Sequence, residues 1–333
     1  MLGPATLGEN GPGYAAIAYS YIRMNPALQR QMVTLLSRLA RDEGYTLSPL
    51  PGVRWLRSNR PLGVTPVLYE PGFVIVCQGR KRGWLGEQEF VYDEQQVLAV
   101  AVPVPFTMQT EASAERPLLA IYFRLDLQLA AELALQIAAH TPQAEDAAPR
   151  GLVSSPMDDN LASAVVRLLQ AMDNPLDAEV LGPAVLREIY FRVLAEEQGG
   201  TLRAALAAQG RFGQIGRAIR RIHQDHASPL TVEMLAREAG LGPAAFHNHF
   251  KAVTQTSPMQ YLKSTRLHQG RLLMMRQGMT AAAASAAVGY ESPSQFSREF
   301  KRLFGLPPLA EVERMVKSFA LPPTEDSTFV TSH

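Results

Sequence analysis

The chain has 333 residues, 47% of them hydrophobic and 19% charged, and it carries a formal net charge of +1. This length fits two domains, each able to bury an apolar core. The sequence shows no run of 18 apolar residues and no basic segment before an apolar core, so neither a membrane span nor a secretory leader is expected. The single cysteine, Cys77, excludes an intramolecular disulfide and fits a reducing cytoplasm, where a packed core thiol is favoured over a redox sensor.

Charge is distributed unevenly along the chain. Residues 211–306 hold 13 Lys and Arg against 5 Asp and Glu, a net of +8, whereas the remainder holds 19 against 26, a net of −7. A basic C-terminal part beside an acidic N-terminal part is typical of a nucleic-acid-binding module attached to a second domain.

The N-terminal part begins with residues 1–23, which are rich in Gly, Pro and Ala and are interpreted as disordered or as an upstream extension. From Pro26 to Glu43 the apolar spacing predicts an amphipathic helix that Gly44 ends. From Leu50 to Asp126, short runs about ten residues apart predict eight strands and hence a β-barrel or jelly roll. The predicted strands are Val53–Leu56, Val67–Tyr69, Phe73–Gln78, Arg82–Leu85, Glu89–Tyr92, Gln96–Val102, Phe106–Thr110 and Leu118–Arg124.

Helical periodicity follows over about 126–198, with a loop expected over Thr141–Gly151. The predicted helices are Leu127–Ala139, Asp158–Met172 and Pro183–Gln198. The pair Gly199-Gly200 and the run Gln209–Gly213 favour linker breaks. We therefore predict one domain over 24–200, a linker over 201–211 and a second domain over 212–315. The tail beyond Ala320, rich in Pro, Ser and Thr, is expected to be disordered.

Two segments of the second domain, 231–251 and 280–301, follow one plan: a helix, a turn glycine and a second helix. The turn glycines, Gly240 and Gly289, stand where the chain must leave a helix with positive φ. Pro243 and Pro293 then restart a helix at its first position, and Ser292 with Gln295 fits a capping box. These are the features of paired helix-turn-helix units whose second helices read DNA.

The second helix of each unit has one apolar and one polar face, set by phenylalanines four residues apart. One amphipathic helix, Pro258–Gln277, connects the units and spans about 30 Å. This is close to the roughly 34 Å between successive major-groove faces of a duplex, so one chain can place two helices in adjacent grooves. The base-reading candidates are Ala244, His247, Asn248, Ser294, Gln295 and Arg298, and the phosphate-contacting candidates are Lys251, Lys301 and Arg302.

Two stretches, Thr256–Leu267 and Val288–Pro308, resemble the signature of the AraC/XylS family of bacterial transcription regulators. The resemblance covers residues 211–310. Gln255 departs from it, because the family usually has Gly there, and so does the alanine-rich run from Ala281 to Ala287. The resemblance implies a cytoplasmic, nucleoid-associated regulator that binds double-stranded DNA.

Segments Gln78–Arg82, Tyr92-Asp93 and Ala112–Ala120 resemble the cupin-like sensing domain of one AraC-type subgroup. The implied fold is α+β: an N-terminal cupin-like β-barrel or jelly roll with packed helices, then an all-α domain with two helix-turn-helix units. A homodimer formed through the N-terminal half, a small-molecule effector and contact with RNA polymerase are also implied. Aromatic residues that could line an effector pocket, with core packing as the alternative, are Trp55, Tyr69, Trp84, Tyr92 and Phe106.

Other functions remain as alternatives. In one alternative the N-terminal half serves dimerisation or protein binding alone, and in another it is a cupin-type enzyme. Residues 1–139 contain no histidine, which argues against the usual cupin metal site. His247 and His249 point to different sides of a helix, which argues against a metal site there. No cofactor or catalytic residue is predicted, because the sequence shows no Walker loop, GxSxG elbow or CxxC pair. The run Arg80–Arg82 could hold an anionic ligand, although a solvated turn is the commoner use of such a run.

Overall fold

The computed structural model describes residues 24–140, 150–196, 199–206 and 211–318. The residues 1–23, the stretch 141–149 of the expected loop and the tail beyond Ala320 lie outside these ranges. No helix within them is long and apolar enough to cross a membrane. The strands of the N-terminal half are β1 Gly44–Leu47, β2 Val53–Ser58, β3 Leu62–Tyr69, β4 Gly72–Gln78, β5 Arg80–Leu85, β6 Gln88–Asp93, β7 Gln96–Val100, β8 Val104–Glu111, β9 Leu118–Arg124 and β10 Leu152–Pro156.

These strands form two antiparallel sheets. The first has the order β1-β2-β9-β4-β7-β10 and the second the order β3-β8-β5-β6. Lys81 of β5 donates a hydrogen bond to Tyr122 of β9 over 2.9 Å, so the two sheets face each other across a shared interior. All eight predicted strands are confirmed, most with extended ends, and so is the predicted α+β fold class.

Helices cover the first sheet and flank it. They are α1 Pro26–Leu39, α2 Leu127–Ala138, α3 Asp159–Ala171, α4 Pro175–Val180, α5 Gly182–Ala195 and α6 Gly199–Leu206. The side chains of Asn25, Asp126, Asp158 and Asn174 cap the starts of α1 to α4 by accepting backbone N–H bonds. Such caps satisfy donors that the first helical turn leaves unpaired.

The structure corrects the sequence interpretation at several places. Helix α1 ends at Leu39, because Ala40 is the last buried residue before the polar run 41–43, and Gly44 with φ 101° opens β1. The short strands β1 and β10 were not predicted because each has too few apolar residues to show alternation. Helix α4 was also missed.

The predicted linker over 201–211 is helical over 201–206 and at Arg211, and 207–210 lie outside the described residues. Helix α6 begins at Gly199, and its Leu202 is buried. Helix α7 already starts at Arg211 and passes through Gly213, so Gly213 is not a chain break. The chain does leave helix α5 after Ala195, just before Gly199. Burial of Leu202 outweighs the low helix propensity of the two glycines that begin α6. The domain boundaries themselves stay predictions.

The C-terminal part is all helical, as predicted. Its helices are α7 Arg211–Asp225, α8 Val232–Ala239, α9 Pro243–Thr254, α10 Pro258–Gln277, α11 Ala281–Ala287, α12 Pro293–Phe304 and α13 Pro308–Ser318. The apolar core of the N-terminal half continues without a break into α7, α8 and α9. A separate cluster, made of Leu267, Val288, Phe296, Phe300 and Phe304, forms the core of the second unit.

Hydrogen bonds join the two halves of the chain at several points. Val253 O of α9 accepts the backbone N–H of Gly151 at 3.0 Å. The Arg271 guanidinium of α10 donates to the Pro66 carbonyl at 3.0 Å. Helix α10 therefore touches both the helices α9 and α12 and the strands β3 and β8.

Candidate DNA-binding interface

The first helix-turn-helix unit is built from α8 and α9. The Thr231 hydroxyl accepts the backbone N–H of Met234 and starts α8, and Gly240 ends it with φ 68°. Phe246 and Phe250 of α9 are fully buried, with ring centroids 5.4 Å apart. Because these rings fix one face of α9 against the core, its other face is turned to solvent.

The predicted contact residues of α9 lie on that outer face. Ala244, His247, Asn248 and Lys251 are all exposed. His249, two residues from His247, is only half-buried and lies to the side. The structure thus brings the four α9 candidates together on one accessible surface.

The second unit repeats the design with α11 and α12. The Thr280 hydroxyl accepts from Ala283 N–H at 3.2 Å, and Gly289 has φ 83°. An alanine-rich α11 is tolerated because its buried Ala284 and Ser285 need little volume. Phe296, Phe300 and Phe304 anchor α12 in the second core cluster.

The outer face of α12 carries the remaining candidates. Ser294, Gln295, Arg298, Lys301 and Arg302 are exposed. Within the described residues, no carboxylate forms an ion pair with any of the three basic side chains, so their charge is available to a phosphate backbone.

Gln295 has a partner of its own. The Ser292 hydroxyl accepts the Gln295 backbone N–H at 3.3 Å, which is half of the predicted capping box. The Gln295 side-chain amide instead donates to Glu299 at 3.4 Å. Gln295 would have to leave this contact to present both amide groups to a base.

Glu299 ties α12 to its neighbours. Its carboxylate accepts from Tyr290 at 2.8 Å and pairs with Lys263 of α10 at 3.0 Å. Burial alone would raise the pKa of Glu299, but the bonds from Tyr290, Lys263 and Gln295 outweigh it and hold this pKa below the usual value. Since Lys263 belongs to α10, this ion pair also fixes the second reading helix on the connecting helix.

The interior of the β-domain holds only part of the predicted effector pocket. Tyr69 and Tyr92 meet there, with hydroxyl oxygens 2.7 Å apart, and Phe106 lies against Tyr69 at 5.0 Å between ring centroids. Burial raises the pKa of both tyrosines well above the usual value, so both are neutral. Cys77 is buried, which raises the pKa of its thiol to about 12.

The two tryptophans lie outside this interior. Trp55 pairs with Ile121, one position from Tyr122, so it points to the opposite face of the first sheet. Trp84 alternates with Lys81 and Gly83 along β5 and is half-buried on the outer face. Sequence reasoning missed Lys81, Tyr122 and Tyr45 as interior residues, although alternation along β5 already places Lys81 with the inward Gly83 and Leu85.

The chain has two helix-turn-helix units, which are joined by one helix and packed on an antiparallel β-domain. This is the architecture of a two-domain DNA-binding protein. The family profile described as "AraC-type transcriptional regulator N-terminus" matches residues 49–201, and that described as "Helix-turn-helix domain" matches residues 235–314. The chain belongs to the AraC/XylS family of transcriptional regulators.

Curated relatives agree with this assignment. The chain is 32% identical over 87 residues to an uncharacterized HTH-type transcriptional regulator YobQ of Bacillus subtilis, covering 26% of this chain and 36% of that protein. It is 30% identical over 102 residues to RclR of Escherichia coli, an RCS-specific HTH-type transcriptional activator, covering 31% and 36%. The chain thus spans about a third of the length of these curated relatives.

Among solved structures, ToxT of Vibrio cholerae has a similar fold. One crystal form gives a TM-score of 0.54 at 10% identity, over 78% of this chain and 98% of ToxT. ToxT with a bound unsaturated fatty acid gives 0.50 at 10% identity, over 81% and 97%. At this identity the likeness concerns the fold alone.

Proposed function

We propose that this protein is a sequence-specific DNA-binding transcription regulator that reads two successive major-groove segments with α9 and α12. The observation that carries the proposal is the pair of exposed, partly basic helix faces, each anchored by buried phenylalanines and both attached to α10. Base contacts by His247, Asn248, Ser294 and Arg298 would supply discrimination. Phosphate contacts by Lys251, Lys301 and Arg302 would supply most of the affinity.

Selection of bound sites from random duplex DNA with the full-length protein tests this function. The expected result is one enriched sequence in which footprinting shows two protected major-groove segments about one helical turn apart. Binding that follows salt concentration alone, with no enriched sequence with or without added metabolite extract, would overturn the proposal.

We further propose that the N-terminal half makes binding responsive to a small-molecule effector. The polar, fully enclosed interior around Tyr69 and Tyr92 supports this, and the similar ToxT fold has been seen with an unsaturated fatty acid bound. A saturable effect of a small molecule on DNA affinity would support the proposal. Its absence across a metabolite panel would favour an N-terminal half that only dimerises or binds proteins.

Homodimerisation through the N-terminal half is part of the same proposal. Exposed apolar side chains on α2, α4 and α5 support it, since a solvated apolar surface of this kind marks association sites. They are Leu127, Leu135, Leu176, Val180 and Phe191. Leu135→Glu should shift sedimentation from dimer to monomer, whereas Leu309→Glu on α13 should not. A monomeric wild type would contradict the proposal.

Cytoplasmic location at the nucleoid and contact with RNA polymerase complete the proposal, which contains no catalytic step. Transcription in vitro from a promoter that carries the selected site distinguishes activation from repression. A rise in transcript would indicate activation through polymerase, and a fall would indicate repression.

A further inference from the structure

Lys81 lies at the centre of the β-domain, between its two sheets. Only 1% of the residue is exposed. Its ammonium nitrogen is 2.9 Å from the Tyr122 hydroxyl and 3.7 Å from the Met108 sulfur. The Met108 sulfur also accepts from the Tyr69 hydroxyl at 3.3 Å. We call this set the interior cluster: Tyr45, Tyr69, Lys81, Tyr92, Met108 and Tyr122.

The interior cluster contains a cation but no anion. Among the side chains that the structure describes, no carboxylate lies within 4.0 Å of the Lys81 nitrogen. The buried carboxylate of Glu70 pairs with Arg54 at 3.4 Å. An enclosed ammonium is normally retained only with an opposite charge, since a neutral hydroxyl and a thioether do not replace its hydration.

The position of Lys81 excludes a solvated turn. Its neighbours Arg80 and Arg82 point outward and approach the surface carboxylates of Asp93 and Glu111 at 3.7 and 3.2 Å. Lys81 alternates with them and points inward. A residue needed only to fill this core would be apolar, so the charge itself requires a role.

We propose that the interior cluster binds the carboxylate of a small monocarboxylic acid with an apolar body, and that Lys81 forms the ion pair with it. Tyr122 donates a second bond to the same carboxylate. Met108, a flexible side chain that fills gaps, moves aside to admit the ligand. Carboxylate binding in the interior cluster is independent of DNA binding. Only the regulatory role of the bound acid rests on the proposed function.

The chemistry of the cluster selects this class of ligand. One ammonium balances one negative charge, whereas a phosphate dianion would bring a second charge without a partner. The neutral phenols can donate hydrogen bonds to carboxylate oxygens. The surrounding walls of Leu85, Phe90 and Phe106 are apolar and suit a hydrocarbon chain or ring.

The strand β3 connects this site to the DNA-binding part. Met108 is the register partner of Thr65, and Pro66 follows Thr65 along the strand. Thr65 is 3.5 Å from the Arg314 guanidinium of α13, and the Pro66 carbonyl accepts from Arg271 of α10 at 3.0 Å. A ligand that displaces Met108 therefore acts on the strand that holds α10 and α13.

Calorimetric titration of the full-length protein with octanoate and benzoate, and with octanamide and benzamide as neutral counterparts, tests the site. The wild type should bind at least one carboxylate about tenfold or more tightly than its amide. Lys81→Met should remove this preference and leave amide binding unchanged. Lys317→Met, which removes an exposed lysine of α13, should bind like the wild type.

Lys81→Met is expected to fold, because an apolar residue of similar length replaces a buried charge. If circular dichroism shows that Lys81→Met is unfolded, the Tyr122→Phe variant is used in its place. It should weaken binding of the carboxylate and leave binding of the amide unchanged. The proposal is overturned if neither acid binds the wild type at millimolar concentration, or if the folded variant keeps the preference. Failure of DNA-site selection with intact carboxylate binding would instead overturn only the regulator function.

Discussion

The hydroxyl of Tyr261 donates a hydrogen bond to the carbonyl oxygen of Pro103 at 2.8 Å, across 158 residues of sequence. Because its only hydrogen is used there, the same hydroxyl accepts from His223 Nε2, also at 2.8 Å. All three groups are buried or nearly so. This chain of bonds couples α7 and α10 of the DNA-binding part to the loop before β8.

Replacing Tyr261 with Phe breaks both bonds while keeping the ring. The free energy of unfolding should fall by about 1–3 kcal/mol, because the buried hydrogen bonds from His223 and to the Pro103 carbonyl are both lost. Urea unfolding of the full-length protein measures this. Leu309→Ala, at an exposed position of α13, serves as the control, and an equal loss there would show that the effect is not local.

Two buried histidines should make the protein sensitive to acid. Burial, with the nearby His226, lowers the pKa of His223 to about 3, and burial with the charge of Arg271 lowers the pKa of His268 well below its usual value. The unfolded chain gains protons at both as pH falls through about 6.5. The contribution of the two histidines to the free energy of unfolding is therefore complete above that pH. It decreases toward lower pH, by at most about 1.4 kcal/mol per pH unit for each histidine.

Urea unfolding between about pH 7.5 and 5 checks this dependence. His223→Gln should remove its share of the slope, whereas His247→Gln, at an exposed position, should leave the slope intact. An identical slope in the wild type and in His223→Gln would contradict the assignment.

Gly289 permits the turn of the second unit for two reasons. Its φ is 83°, and a Cβ atom built there would lie 2.2 Å from the carbonyl oxygen of Ala227. Gly289→Ala should lower the free energy of unfolding by more than 2 kcal/mol, roughly twice the αL cost alone. Gly278→Ala is the matched control, since Gly278 has φ 65° but open space around it. Equal losses would show that the clash with Ala227 is relieved cheaply.

Gln255 ends α9 in the left-handed conformation, with φ 58°. This explains why glycine is usual at the position in the family that the sequence resembles. Gln255→Gly should raise the free energy of unfolding by up to about 1 kcal/mol, because a residue with a Cβ atom is strained in the left-handed conformation and glycine is not. Gln260→Gly, inside α10, should lower it by about 0.5–1 kcal/mol. Chemical denaturation of both variants decides whether the strain is real.

Given the proposed function, the outer face of α12 makes two kinds of DNA contact, one to bases and one to phosphates, and substitutions can distinguish them. Arg298→Ala should cost about 1–3 kcal/mol of binding and relax the preferred base at one position. Lys301→Ala should weaken binding to all sequences alike and reduce the salt slope by about 1. Arg30→Ala, an exposed arginine on α1, controls for charge. Loss of the same size and pattern in all three variants would reject groove reading by α12.

The sequence alone determined the helix-turn-helix pair, the connecting helix and the eight main strands. These elements depend on local rules that a single chain segment displays: glycine at left-handed turns, proline at helix starts, and the periods of helices and strands. The bounds predicted for α10, Pro258–Gln277, match the structure for this reason.

The tertiary structure decided what depends on distant partners. Helix α6 forms where a linker was expected, because Leu202 finds a buried place. Lys81 lies inside rather than in a solvated turn, because the first sheet covers its face of β5. Arg271 and Glu311 form an enclosed ion pair at 3.2 Å, and Tyr261 reaches Pro103. These pairings depend on how the chain folds back on itself, and no local pattern encodes that.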